Sequence, residues 1–173
     1  EFIAKVVEKV QALTLGSSDE GPGHFDIGPF IMDRQIDIVE RHVQDAVAKG
    51  AKVLCGGKRR PDLGDQFYEP TVLVDVTHDM AVMTEETFGP VLPILVCRDA
   101  EHALQMANDT RYGLGSTLWS KDKKKAERLA RRMAAGSVCI NESSLTYGAL
   151  EVPFGGRKTS GVGAVNGVNA LLN

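Results

Sequence analysis

The sequence lacks the features that mark several specialised classes of protein. No apolar run approaches the ~20 residues that a membrane-spanning helix needs. Its 20 lysines and arginines nearly balance 23 aspartates and glutamates, which gives a net charge of -3. The strongly basic stretch KDKKKAERLARR carries no interleaved aromatic residues and is typical of a solvated helix face. Neither nucleic acid nor a membrane is therefore expected as a partner.

Cysteine and histidine are scarce and scattered. Cys55, Cys97 and Cys139 each lie in or beside an apolar run, and three widely spaced cysteines do not suggest a disulfide framework. We expect reduced thiols in a cytoplasmic protein, because the opening segment EFIAKVVEKVQAL carries both charges and does not match a secretion signal. The four histidines lack metal-ligand spacing, so we predict ordinary surface or core histidines and no metal site.

What remains is the composition of a globular domain, with 43% hydrophobic and 25% charged residues. Apolar residues recur at helical spacing in the opening segment and again after Asp33, which we predict to be an N-cap. Short strands are predicted in AKVLCGG and QFYEPTVLVDV. The second half alternates the strands VLPILVCR, YGLGSTLWS and SVCIN with helices capped by Asp99 and Ser120. That order is typical of parallel strands joined by right-handed crossovers, as in an α/β fold.

Glycine, by contrast, is abundant, and two glycine-rich stretches test a nucleotide-binding hypothesis. GVGAVNG is one residue longer than the dinucleotide fingerprint, and no clear strand precedes it. GGRKTSG lacks the order of glycines and lysine that a phosphate loop requires. Neither supports a phosphate site, so we interpret residues 142–167 as a long glycine-rich loop packed close to a neighbour.

The stretch MTEETFGPVLPILV places two adjacent carboxylates, Glu85 and Glu86, just before Phe88, Gly89 and the start of an apolar strand. One interpretation is a turn with a surface salt bridge. The other is a nucleotide site, because a carboxylate has two acceptor oxygens and a ribose offers two neighbouring hydroxyl donors. Phe88 could then lie against a flat ring. These residues alone leave both interpretations open.

Several stretches in one order and spacing carry a family resemblance. EETFGPVLPI is followed by ALQMANDTRYGLGSTLWSKD, AGSVCIN and PFGGRKTSGVG, while GAKVLCGG and YEPTVL precede it. From Phe2 to about Gly167, they resemble the aldehyde dehydrogenase superfamily. The resemblance implies an α/β three-layer sandwich with a largely parallel sheet and helices on both faces, and it makes residues 1–173 part of the catalytic domain.

The resemblance also implies a reaction. The family uses NAD or NADP to oxidise an aldehyde to a carboxylic acid. A cysteine thiolate attacks the carbonyl, the thiohemiacetal passes hydride to the nicotinamide, and a glutamate base activates the water that hydrolyses the thioester. The complete enzyme is therefore expected to bind an aldehyde and to form a homo-oligomer.

Residue by residue, the resemblance assigns roles to three side chains. Glu86 matches the residue that holds the nicotinamide ribose hydroxyls, and Phe88 matches the aromatic beside the nicotinamide. Phe154 matches a position near the substrate tunnel, whose mouth the loop from Glu142 to Val152 is expected to line. Three further family positions are assigned to local structure: Thr71, Asn141 and Ser160.

The chain also departs from the family pattern. In the family, the nucleophilic cysteine, the glutamate base and the dinucleotide-binding domain precede the segment that this chain matches. Cys55, Cys97 and Cys139 do not match the nucleophile. We therefore expect no catalytic residue in this chain, no aldehyde oxidation by it alone and no tightly bound dinucleotide. A single charge-assisted contact from Glu86 is worth about 1.5–3 kcal/mol, less than the ~4 kcal/mol of a millimolar complex.

Two alternatives remain open from the sequence. The chain could be a non-catalytic α/β module of the same fold that acts in binding or as a scaffold. It could also belong to a related enzyme, such as a phosphorylating semialdehyde reductase. The sequence decides neither the aldehyde nor the choice between NAD and NADP.

Overall fold

A computed structural model describes residues 1–17, 25–143 and 145–168 of the chain. The chain divides into two compact units, Glu1–Val96 and Cys97–Asn173. Within the described residues, no helix is long and apolar enough to cross a bilayer.

The first unit combines helices with a mixed sheet. In chain order its elements are α1 (Phe2–Gln11), α2 (Asp33–Ala48), β1 (Lys52–Cys55), β2 (Thr71–Val74), α3 (Ala81–Thr84) and β3 (Val91–Ile94). The strand order is β1-β2-β3. β2 and β3 run parallel, with Thr71 opposite Val91, whereas β1 pairs antiparallel to β2, with Lys52 opposite Val74. The sheet of this unit is thus mixed, with β1 as its antiparallel edge strand.

The core of this unit lies between α2 and the central strand. All four residues of β2 are buried, which is expected of a strand with neighbours on both sides and covered faces. The helical stripe predicted after Asp33 is confirmed at four apolar residues, which are buried and form one cluster with Leu73 of β2. Val47, the next apolar residue of the stripe, is 47% exposed. The buried stripe residues of α2 are Ile36, Val39, Val43 and Ala46.

The second unit contains a parallel strand pair. Its elements are α4 (Ala100–Asn108), β4 (Gly115–Leu118), α5 (Lys123–Ala130), β5 (Ser137–Ile140), α6 (Leu145–Gly148), β6 (Phe154–Gly155), a 3-10 turn (Lys158–Ser160) and β7 (Ala164–Val165). β4 and β5 pair in parallel, with Gly115 opposite Ser137. α5 connects them, which confirms the second strand–helix–strand unit of the predicted series. The first strand of that series, VLPILVCR, contains β3, which pairs with β2 in the first unit. β6 and β7 form a separate antiparallel pair.

Residues 142–167, predicted as one long loop, hold the short elements α6, β6 and β7 as well. Close packing is confirmed for Gly155, Gly156 and Gly167, whereas a Cβ added at Gly163 would meet open space. A Cβ added at Gly136 would overlap the carbonyl of Gly155, so β6 can approach the start of β5 only because Gly136 has no side chain. Lys158 fixes the same stretch, because its ammonium donates to the carbonyls of Asn108 and Thr110 at 2.7 and 2.8 Å.

The predicted helix caps are right at one position and wrong at two. Asp99 caps α4, where its carboxylate accepts the His102 N–H at 2.8 Å. Asp33 is the first helical residue of α2, and Met32 occupies the N-cap without a side-chain hydrogen bond. Asp122, not Ser120, caps α5 by accepting the Lys125 N–H. Asp122 lies closer to the helix, so its carboxylate reaches the free N–H groups of the first turn.

Not every apolar side chain of the second unit is buried. Leu104 of α4 and Ala126 of α5 are buried, but Ala103 and Ala107 are exposed and line a groove of about 340 Å³ between α4, β4 and α5. Trp119, directly after β4, is 70% exposed. This unit therefore has a smaller buried core than the first.

We expect Leu73→Ala to lower the free energy of unfolding by about 2–5 kcal/mol, because it leaves a cavity in the core. Leu73 is 0% exposed, whereas Leu92 on the neighbouring strand is 46% exposed. Leu92→Ala is the matched control and should cost about 1 kcal/mol or less. Denaturant unfolding followed by far-UV circular dichroism measures both. Equal losses would contradict the assignment of β2 to the centre of the core.

Candidate functional site

The two predicted cofactor residues lie on one short connection between α3 and β3, called here the Glu85–Gly89 segment. α3 ends because Glu85 is extended (φ -107, ψ 159), although its N–H still donates to the Ala81 carbonyl. At the other end, the Pro90 carbonyl accepts the Thr71 N–H at 2.8 Å, where β3 joins the sheet. The segment is therefore held at both ends by regular structure.

Side chains along the segment alternate in direction. Glu85 and Thr87 contact a histidine of α2. Glu86 and Phe88 face away from it, and Phe88 is 70% exposed. The chain is extended at Glu85 and turns at Phe88, where the Gly89 N–H donates to the Thr87 carbonyl at 3.0 Å. A carboxylate and an aromatic ring, two residues apart, are thus both exposed on this segment.

Glu86 is free to bind a ligand. Its side chain is exposed, and within the described part of the chain it makes no hydrogen bond or ion pair. Of the two adjacent carboxylates, Glu85 is the one with a side-chain partner, because its oxygen lies 3.1 Å from the imidazole Nε2 of His42. The unpaired acceptor oxygens of Glu86 fit a pair of donors, such as two neighbouring ribose hydroxyls.

His42 is the buried partner beneath the segment. It is 0% exposed, and its Nδ1 lies 2.7 Å from Thr87 Oγ1 while Nε2 lies 3.1 Å from Glu85 Oε2. A carboxylate only accepts, so Nε2 donates to Glu85. In the neutral ring, Nδ1 then accepts from the Thr87 hydroxyl. Both ring nitrogens are thereby satisfied, as a buried polar group requires.

Two more contacts hold the segment on α2. The Gln35 amide donates to the Phe88 carbonyl at 3.0 Å. At Gly89 the backbone comes so close to the helix that an added Cβ would lie 2.5 Å from Val39 Cγ2 and 3.0 Å from Phe30 Cζ. Glycine at this position is therefore a packing requirement.

α2 also fixes the start of α3. Asp45 accepts the Ala81 N–H at 2.8 Å, and Lys49 pairs with the same carboxylate at 3.0 Å. The hydrogen bond from Ala81, followed by that from Lys49, lowers the pKa of Asp45 from its ordinary value of 3.8. The position of α3, and so of the segment that follows it, depends on this ionised carboxylate.

Phe154, the predicted tunnel residue, belongs to the second unit. It is half-buried in β6, opposite Val165. The expected tunnel-mouth loop from Glu142 to Val152 contains α6, and Ser144 within it lies outside the described residues. The structure thus brings Glu86 and Phe88 together on one segment of the first unit and places Phe154 in the other.

The three positions assigned to local structure make local hydrogen bonds. The buried Thr71 hydroxyl accepts the Gly57 N–H and donates to the Glu69 carbonyl. The Ser160 hydroxyl accepts the Gly113 N–H at 2.9 Å. The Asn141 side chain, just after β5, makes two hydrogen bonds with the backbone of the turn after β4.

The described cysteines and histidines are candidate ligands of a metal ion. All three cysteines are free and half-buried. Among residues 1–17, 25–143 and 145–168, no group of three or more His, Cys, Asp or Glu side chains is arranged to hold a metal ion.

A sequence model of the aldehyde dehydrogenase family matches residues 1–173. The chain belongs to the aldehyde dehydrogenase family. Curated relatives support this over the whole chain. A putative NADP(+)-type succinate-semialdehyde dehydrogenase of Mycobacterium ulcerans is 44% identical over 99% of this chain and 33% of its own length. A 4,4'-diapolycopene aldehyde oxidase of Methylomonas is 42% identical over 100% of this chain and 31% of its own length.

Solved structures of aldehyde dehydrogenases share the fold. An aldehyde dehydrogenase of Mycobacterium tuberculosis complexed with NAD+ aligns with a TM-score of 0.89 and 35% identity, over 98% of this chain and 34% of that one. Betaine aldehyde dehydrogenase of Staphylococcus aureus in complex with NAD+ aligns with a TM-score of 0.87 and 33% identity, over 99% and 34%. The chain spans about a third of the length of the aldehyde dehydrogenases it matches.

Sequence reasoning missed His42, Gln35 and Thr87 as parts of this site. One signal was present for His42, because it falls within the apolar stripe of α2, between Val39 and Ala46. A polar residue in a buried stripe must find a partner. No comparable pattern distinguished Gln35 or Thr87.

We expect Gly89→Ala to lower the free energy of unfolding by about 1–3 kcal/mol, because the new methyl group would overpack against α2. Val39 is 0% exposed and cannot move into solvent. Gly163→Ala is the matched control, since nothing lies within 4 Å of a Cβ added there. Denaturant unfolding measures stability, and backbone amide shifts report displacement of the Glu85–Gly89 segment. Unchanged shifts and stability in the Gly89 variant would contradict the close packing.

A second expected outcome concerns acid. The folded-state pKa of Asp45 lies below its unfolded value of 3.8, so its contribution is present above that value and is lost as the pH falls through the folded pKa. Asp45→Asn should therefore show a smaller loss of Tm than wild type between about pH 5 and about pH 3. Asp65→Asn, which alters an exposed aspartate, is the control. If the Tm of the Asp45 variant falls over this pH range by as much as the Tm of wild type and of the Asp65 variant, the carboxylate does not hold α3.

Proposed function

We propose that this chain forms part of the catalytic domain of an NAD(P)-dependent aldehyde dehydrogenase that oxidises an aldehyde to a carboxylic acid. In that enzyme Glu86 binds the nicotinamide ribose hydroxyls and Phe88 lies beside the nicotinamide ring. The observation that carries the proposal is the unpaired, exposed carboxylate of Glu86, two residues from an exposed aromatic ring on a segment fixed to α2. Phe154 is proposed as a residue near the substrate.

These residues fit the coenzyme by their donor and acceptor chemistry. A bidentate carboxylate fixes the ribose, and an aromatic face restricts the ring attached to it. Orientation of this kind lowers the entropy that the reaction must otherwise lose. The bound nicotinamide supplies the hydride acceptor; the residues of this chain bind and orient it.

The chain alone is proposed to be inactive. None of its cysteines matches the family nucleophile, and the relatives it matches are about three times its length. One carboxylate contact is worth about 1.5–3 kcal/mol, which does not hold a dinucleotide at micromolar concentration. The alternative is a non-catalytic binding or scaffold module of the same fold. An exposed carboxylate with no partner in the described residues favours a ligand site over that alternative.

The proposed substrate is an aldehyde, and the names of the relatives indicate which aldehydes to assay first. Relatives carry names that refer to succinate semialdehyde and diapolycopene aldehyde, and one solved neighbour is a betaine aldehyde dehydrogenase. Succinate semialdehyde with NADP is the first pair to assay, because the M. ulcerans relative carries that name. A cytoplasmic location and homo-oligomeric assembly of the complete enzyme stay predictions from the sequence.

In the protein encoded by the complete gene, Glu86→Ala is expected to weaken NAD(P) binding roughly ten- to hundred-fold, the equivalent of one lost charge-assisted pair. Glu127→Ala removes an exposed carboxylate from α5 and should leave the affinity unchanged. Activity is measured with a panel of aldehydes and both coenzymes. For the 173-residue chain, the activity assay should show no aldehyde-dependent turnover, and calorimetry should show no tight NAD(P) binding.

Two results would overturn this proposal. The first is sub-micromolar NAD or NADP binding by the chain alone. The second is a complete protein that binds neither coenzyme and oxidises no aldehyde, which would favour the scaffold alternative.

A further inference from the structure

We propose that His42 is a positioning residue for the coenzyme, and that it orients Glu86 and Phe88 by holding the residues on either side of Glu86. This inference rests on the proposed function. It concerns a side chain that touches neither ribose nor nicotinamide and that acts only through the Glu85–Gly89 segment.

His42 of α2 forms hydrogen bonds with the two residues that flank Glu86 in the chain. The imidazole binds Glu85 through Nε2 at 3.1 Å and Thr87 through Nδ1 at 2.7 Å. The backbone is extended at Glu85, and in extended backbone neighbouring side chains point to opposite sides. Glu86 lies between the two anchored residues, so its carboxylate is directed away from α2. Among the described residues, no side chain makes a hydrogen bond or ion pair with this exposed carboxylate.

One face of α2 carries the whole set of contacts. Gln35, Val39 and His42 follow each other at spacings of four and three residues, which places them on one side of a helix. Gln35 binds the Phe88 carbonyl at 3.0 Å, and Val39 packs against Gly89. The helix therefore holds every residue of the segment except Glu86 by a direct contact.

Core packing alone does not explain a histidine at this position. The other buried residues of the stripe are apolar, and a leucine or tyrosine would fill similar space. The two groups that His42 binds are not part of the core. Glu85 has a side chain 54% exposed, and Thr87 is half-buried. Both ring nitrogens of a fully buried imidazole thus form hydrogen bonds with a solvent-facing segment. This is expected if coenzyme binding requires that segment to be ordered.

Order in the free protein favours binding. A mobile segment must lose conformational freedom when it closes on a ligand, and prior ordering lowers that cost. With the segment fixed, the Glu86 carboxylate is already directed toward the ribose position. Without His42, Glu85 and Thr87 lose their shared partner, and Glu86 samples orientations that do not bind.

The test uses four variants of the complete protein. His42→Leu removes both hydrogen bonds. His42→Gln places an amide near the Nε2 position and retains the contact with Glu85. Thr87→Val removes the hydroxyl and keeps the branched shape of the side chain at a half-buried position. Val43→Ala is the matched control, because it weakens the buried face of the same helix without a polar contact to the segment.

The first readout is the NAD(P) dissociation constant, measured by titration. His42→Leu is expected to raise it about tenfold or more, equivalent to one lost hydrogen-bonded anchor. His42→Gln and Thr87→Val should each raise it by a smaller factor. Val43→Ala should leave it within about twofold of wild type despite a lower Tm. A coenzyme affinity that follows Tm across all four variants would show a merely structural role and overturn the inference.

The second readout needs no coenzyme. In the 173-residue chain, amide order parameters of Glu86, Thr87 and Phe88 should fall in His42→Leu and stay high in Val43→Ala. Should His42→Leu fail to fold, Thr87→Val gives the same comparison. Equal order parameters in wild type and Thr87→Val, with unchanged affinity, would overturn the positioning role.

The two proposals fail in different ways. A wild-type complete protein with no NAD(P) affinity overturns the proposed function and with it the coenzyme role of His42. A wild-type protein that binds NAD(P), together with a His42→Leu variant that binds it as tightly as Val43→Ala, overturns only the role of His42.

Discussion

The packing of α2 against β2 is the constraint on which the first unit depends. Its buried stripe forms one apolar core with Leu73 of β2 and Val82 of α3. The same helix makes the polar contacts that order its surroundings. Arg59 reaches across to Glu40 and Asp37 of α2 at 2.7 and 2.6 Å. A helix that supplies both the apolar core and the polar anchors leaves the connection between α3 and β3 little freedom.

In that arrangement, the residues that hold the Glu85–Gly89 segment differ from those proposed to bind the coenzyme. The residues that hold the segment lie beneath it, on α2, and are buried or half-buried. Glu86 and Phe88, the two residues proposed to meet the coenzyme, are exposed and make few polar contacts of their own. Phe88 has only its backbone carbonyl tied to the helix, and Glu86 has no partner within the described ranges. A side chain without internal partners is free to make external ones, provided that the backbone beneath it is fixed.

Periodicity allowed much of the fold to be predicted from the sequence. The five main strands and four main helices fall where alternating and helical patterns place them, since burial of one face imposes the period. Features set by distant partners were not predictable. β6 and β7 contain two residues each, and strands so short carry no pattern. Asp122 replaced Ser120 as a cap because a difference of two residues decides which oxygen reaches the helix.

The candidate site, like the fold, could be predicted from the sequence only in part. Family motifs identified Glu86 and Phe88, because the order of short stretches along the chain carries that information. The support beneath them was missed, because the contacts of His42 join residues 45 and 43 positions apart. A polar residue inside an apolar stripe indicates that a partner exists, but local sequence cannot say which residue it is.

One tryptophan has a consequence for how the two units are observed. Trp119 is the single indole in the sequence, and it belongs to the second unit, where it is 70% exposed. Its emission therefore reports mainly the water-facing end of β4, with little contrast between native and denatured chains. Loss of the larger apolar core around β2 would go unseen in such a fluorescence trace, and the buried Tyr68 is the better native chromophore for that event.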